Sequence, residues 1–183
     1  MAINLDAGKQ LLERDRELEI ANAAIARALA RAGGVLLIEG PPGVGKSKLM
    51  AAIRTTARKS ALTVLEARGA ALEREFAFGV VRQLIERVAM PGRVENPEAL
   101  FAGAASMAAT LLGDRHVGTP ADVGDPSFGF LNGLYWLTVN LADRGPLLLS
   151  VDDAHLSDRP SLRFLAYLSR RREGLPVLLV AAG

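Results

Sequence analysis

The stretch Gly40-Pro41-Pro42-Gly43-Val44-Gly45-Lys46-Ser47 decides the fold. It fits the phosphate-loop pattern GxxxxGK[ST] at every defined position. Val35-Leu36-Leu37-Ile38 before it reads as a short buried strand, and Lys48 to Arg58 after it reads as a helix. Strand, glycine loop and helix N-terminus together make an anion site. The glycines let backbone N–H groups turn inward without a side chain in the way. The helix start at Lys48 adds unpaired N–H donors and the positive end of the helix dipole. Lys46 is then placed to reach the β- and γ-phosphates of a nucleotide, and the Ser47 hydroxyl to hold Mg²⁺. The bland alternative is a glycine-rich turn that only caps a helix; the flanking strand and helix argue against it.

Bulk properties agree with one α/β domain. The chain has 183 residues, half of them apolar and 23% charged, enough to build a real core. A formal net charge of +2 gives no strong field to attract nucleic acid or a membrane. Cysteine is absent, so there is neither a disulfide framework nor a thiolate metal site, which suits a cytoplasmic protein. Met1 to Asp6 lacks the basic and then apolar build of a signal peptide. No apolar run reaches the ~18 residues of a membrane span.

Periodicity places the remaining elements. Asp15 to Arg31 is an amphipathic helix with Leu18, Ala21, Ile25 and Leu29 on one face. Leu62-Thr63-Val64-Leu65 is a second strand. Phe76 to Val88 reads as a helix, with Phe76, Val80, Leu84 and Val88 at spacing four. Asn96 and Pro97 start a helix that extends to about Leu112. Gly113 to Asp125 reads as an exposed, mobile loop. Phe128 to Ala142 is apolar nearly all round, which predicts a buried helix with Tyr135 and Trp136 in the core. Leu147 to Val151 and Val177 to Val180 are two more apolar strands, with a helix capped by Ser157 or Asp158 between them. Apolar strands alternating with helices indicate a parallel sheet covered on both faces.

Leu147-Leu148-Leu149-Ser150-Val151-Asp152-Asp153 delivers two carboxylates at the C-terminal end of its strand, where open α/β sheets bind ligands. A phosphate loop holds phosphates; hydrolysis also needs a metal anchor and a group to position water. Asp152 fits the Mg²⁺ role and Asp153 the water-positioning role. Either could instead serve the next helix as a cap. His155 is a candidate γ-phosphate sensor or a loop residue with a local hydrogen bond. Arg68 is either structural or an arginine acting on a neighbouring site, and Arg170-Arg171-Arg172 reads as a solvated helix end.

Several stretches resemble one family. Leu12-Glu13-Arg14-Asp15-Arg16-Glu17-Leu18 resembles its N-terminal GREREL-type box, with Glu13 where glycine is usual. Arg68-Gly69, Leu72-Glu73-Arg74-Glu75-Phe76-Ala77-Phe78-Gly79 and Leu134-Tyr135-Trp136-Leu137 are similar to further segments. So is Asp152-Asp153-Ala154-His155-Leu156-Ser157-Asp158. Together they resemble the ATPase domain of the large ATP-binding LuxR-type transcriptional regulators, AAA-like P-loop NTPases of the STAND class. Related modules occur fused to cyclases and kinases.

The resemblance implies a three-layer P-loop sandwich with sheet order 5-1-4-3-2. Residues 1–183 would then supply order 1-4-3-2, as the N-terminal part of one ATPase domain, with the Lys46 strand at an open edge. The fifth strand, lid and effector domain would lie outside, and the sensor residue would be Gly183 or lie outside as well. The resemblance also implies that Arg14 lies close to adenine, so that residues Gly40 to Lys48 and Arg14 bind ATP or ADP with Mg²⁺. It implies a switch that is closed with ADP and self-associates with ATP. DNA would be contacted only through a separate C-terminal domain. Hydrolysis is expected of the complete protein and little or none of residues 1–183 alone. Two rivals remain: a nucleotide-binding module with little turnover, and a small-molecule P-loop kinase, whose two motif strands would lie side by side. No pattern for a basic recognition helix supports a DNA-binding module.

Overall fold

Short apolar runs separated by helices fold into a parallel sheet with helices on both faces. A computed structural model describes residues 1–4, 14–89, 96–111 and 126–183. The strands are β1 (Ala2–Asn4), β2 (Gly34–Glu39), β3 (Thr63–Arg68), β4 (Leu147–Asp152) and β5 (Val177–Ala182). The helices are α1 (Asp15–Leu29), α2 (Lys46–Lys59), α3 (Gly79–Ala89), α4 (Pro97–Leu100), α5 (Ser106–Ala109), α6 (Pro126–Ala142) and α7 (Arg159–Arg171). The sheet runs β1-β2-β5-β4-β3, and every pairing is parallel. The four strands read from the sequence therefore stand in the expected order. β4 and β5 are buried along almost their whole length because both of their faces carry helices.

Alternate side chains feed two cores. Leu148, Leu178 and Val180 join Leu36, Ile38, Met50 and Ile53 under α1 and α2. Leu147, Leu149, Val151 and Leu179 join Leu84, Leu134, Leu137 and Phe164 under α3, α6 and α7. This is the period-two consequence of a strand covered on both sides.

The structure corrects several expectations. The phosphate-loop strand is not an open edge: β1 pairs with it, placing Ile3 opposite Ile38. α3 begins at Gly79, and Phe76 lies outside it, 66% exposed. Phe78 takes a positive φ of 60° just before the helix, so the spacing of four from Phe76 is broken by the backbone. The helix expected from Pro97 to Leu112 is three short pieces, interrupted at Gly103 with φ 62°. Asn96 does cap its start, accepting from the Ala99 N–H. α6 is not buried all round: Trp136 is 43% exposed, although Leu134 and Leu137 are fully buried. The loop expected at 113–125 and Leu12 and Glu13 of the N-terminal box lie outside the described residues. Among the described residues no helix is long and apolar enough to cross a membrane.

Candidate functional site

β2 ends at Glu39, and the loop Gly40–Gly45 turns directly into α2. Gly43 (φ 80°) and Gly45 (φ 89°) take left-handed backbone that a side chain would strain. With those turns in place, the N–H groups of Gly43, Gly45, Lys46 and Ser47 find no acceptor among the described residues. They form an unpaired donor set at a helix N-terminus, an arrangement that can receive an anion. Lys46 Nζ lies across the loop, 2.6 Å from the Gly40 carbonyl oxygen and 3.2 Å from that of Pro41.

The loop opens onto a cleft of about 420 Å³ lined by Pro42, Gly43, Gly45, Lys46, Ser47, Lys48, Asp153 and His155. The fold thus brings the predicted loop residues and one acid together across β5. Asp152 ends β4, is buried, and accepts the Asp153 N–H at 3.1 Å through Oδ1. It stands at the strand end behind Asp153 and does not line the cleft. His155 does line it, and Gly183 packs beside the imidazole. Gly183 has no side chain to act as a sensor; its N–H donates to the Ile38 carbonyl at 3.1 Å.

Arg68 has a partner in this fold. It ends β3, one strand over from Asp152, and its Nε and Nη2 both lie 2.8 Å from Asp153 Oδ2. That hydrogen bond, the charge of Asp153 and the charge of Asp152 raise the guanidinium pKa above its ordinary value. Gln83 of α3 brackets the Arg68 backbone, accepting its N–H at 2.9 Å and donating to its carbonyl at 3.2 Å. Gly69 follows, and a Cβ there would sit 2.3 Å from the Asp153 carbonyl oxygen. Only glycine permits that approach, which is why an Arg-Gly pair rather than a bulkier one carries the contact. Sequence reasoning missed Gln83, for which no motif signal exists.

Asp158 anchors the same rim from below. As N-cap of α7 it accepts the Ser161 N–H at 2.8 Å. It also accepts the N–H groups of Phe78 at 2.8 Å and Val80 at 3.2 Å. One buried carboxylate therefore serves the starts of both α3 and α7. Arg14, whose side chain is almost fully buried ahead of α1, donates from Nη2 to the Val44 carbonyl of the loop.

A phosphate loop, an acid-bearing strand end and an intervening strand define the arrangement, and β5 between β2 and β4 excludes the side-by-side order of the kinase alternative. No curated protein shows a significant match to the chain. A family model described as the AAA ATPase domain matches residues 10–180. That span covers both the loop and the acid pair, and the chain belongs to the AAA ATPase domain family, whose members bind ATP or ADP with Mg²⁺.

Proposed function

We propose that the chain is the nucleotide-dependent switch module of a STAND-type, LuxR-like regulator. The observation that carries the reading is the cleft itself: free loop amides, Lys46 and Ser47 face Asp153 and His155 across one strand. The segments 72–79 and 152–158 support the narrower assignment through their resemblance to that class. ATP would seat its phosphates on the Gly43–Ser47 amides. Lys46 would leave the Gly40 and Pro41 carbonyls and turn to the β- and γ-phosphates. Arg14 would lie toward the base.

The residues fit Mg²⁺. Among the described residues no three His, Asp or Glu side chains gather into a metal cage. Mg²⁺ needs none, because one or two protein oxygens plus substrate phosphates satisfy it. The Ser47 hydroxyl, in the cleft, has no protein partner among the described residues, and the Asp152 carboxylate, at the strand end behind the cleft-lining Asp153, would reach the ion through water. Bound there, Mg²⁺ would offset charge on the phosphates. Asp153 would hold and orient the attacking water.

A second reading, nucleotide binding with little turnover, is favoured by one contact. The Asp153 carboxylate is held by Arg68 rather than left open to water. In either reading the ATP-bound form self-associates and DNA contact belongs to a separate domain. Sedimentation velocity with ADP and with a non-hydrolysable ATP analogue tests the switch. The expected result is a larger species with the ATP analogue only. The same size with both nucleotides, each bound, would rule it out.

A further inference from the structure

We propose that Arg14 is a positioning residue of the phosphate loop: by holding the Val44 carbonyl it turns the Gly45 N–H into the cleft. The proposal rests on the reading of that cleft as a phosphate site. Arg14 is 5% exposed and precedes α1, yet its side chain makes no capping bond to that helix. Its Nε and Nη1 are buried and have no acceptor among the described residues. Among the described residues its side chain has one tie, from Nη2 to the Val44 carbonyl. A buried guanidinium satisfied at one nitrogen of three is unfavourable for fold stability. Stability of the fold therefore does not account for it, whereas its single contact acts on the loop.

The geometry of that contact fixes what it does. A trans peptide is planar, so the Val44 C=O and the Gly45 N–H point in opposite directions. The peptide is flanked by Val44 and Gly45, and Gly45, at φ 89°, has no Cβ to resist its rotation. Rotation would aim a carbonyl oxygen at the phosphates and withdraw a donor. Arg14 sits on the buried side of the loop and engages the carbonyl, whereas Gly45 lines the cleft. The Gly45 N–H thus faces the cleft, beside the unpaired N–H groups of Lys46 and Ser47.

The test uses the whole chain and two probes: Mg·ATP and Mg·tripolyphosphate, which has phosphates and no nucleoside. Arg14→Ala should weaken both by the same factor, roughly tenfold for one charge-assisted hydrogen bond. Arg14→Lys, which also offers a donor and a charge, should restore part of both. The Gly45 amide resonance of the free protein should shift in Arg14→Ala and move back in Arg14→Lys. If Arg14→Ala does not fold, Arg14→Gln carries the same comparison. Weakened ATP with unchanged tripolyphosphate would mean that Arg14 reads the nucleoside and would overturn the proposal alone. So would unchanged affinity for both. A folded wild-type chain that binds neither probe would overturn the phosphate-site reading and the proposal with it.

Discussion

Lys46 and Asp153, the residues best placed for chemistry, are both engaged by the protein's own groups. Lys46 Nζ lies on the Gly40 and Pro41 carbonyls, and Arg68 holds Asp153. Both contacts are replaceable: a bound γ-phosphate would compete for the lysine, and loss of Arg68 would free the acid. If Asp153 positions water, Arg68→Ala raises ATP turnover while leaving ATP affinity nearly unchanged. The increase should stay within about tenfold, because a solvated ion pair contributes little. A steady-state ATPase assay alongside a binding isotherm separates the two effects. Lower turnover instead would assign Arg68 itself to the chemistry. The sequence marked both residues but not their pairing, because no local pattern links positions on two different strands. β4 pairs with β3 in a register that sets Arg68 opposite Asp152, and only that register makes the contact visible.

At the scale of elements, Asp158 is the tie that fixes the rim of the site. Its carboxylate accepts three backbone N–H groups from two helix starts. Ser161 adds a fourth contact by accepting the Val81 N–H at 3.1 Å. Asp158→Ala leaves three buried donors without their acceptor. At roughly 1–3 kcal/mol for each unsatisfied group, the loss should reach about 3 kcal/mol or more. Asp158→Asn keeps one acceptor oxygen and should lose less. Urea denaturation with an unchanged m-value checks both; a loss below about 1 kcal/mol in the alanine variant would contradict the tie. The capping role was legible, since Asp followed by Arg159-Pro160 is a helix-start signal. The second role was not, because Phe78 and Val80 lie far away in sequence. The same long-range tie explains why α3 starts late. Backbone N–H groups of Phe78 and Val80 turn toward Asp158, and the left-handed Phe78 ends the preceding segment.

For the whole molecule, the strand order was an implication of the family resemblance, and β2-β5-β4-β3 matches it. Continuous apolar runs signalled strands covered on both faces, and β4 and β5 are such strands. The edge of the sheet did not follow. β1 is three residues long, too short for its pattern to register, and it becomes a strand only through pairing with β2. That pairing covers the edge beside the phosphate loop and removes a template for unwanted strand addition. This fold is proposed to bind nucleotide phosphates between the Gly40–Ser47 loop and the acids at the end of β4, Asp152 and Asp153. Calorimetric titration of the chain with ATP and ADP in Mg²⁺, against Lys46→Ala, tests it most directly. Binding of both nucleotides, weakened about 10- to 100-fold in Lys46→Ala by loss of a charge-assisted contact, is the predicted result. Equal affinity in a folded Lys46→Ala chain, or no binding to folded wild type, would contradict it.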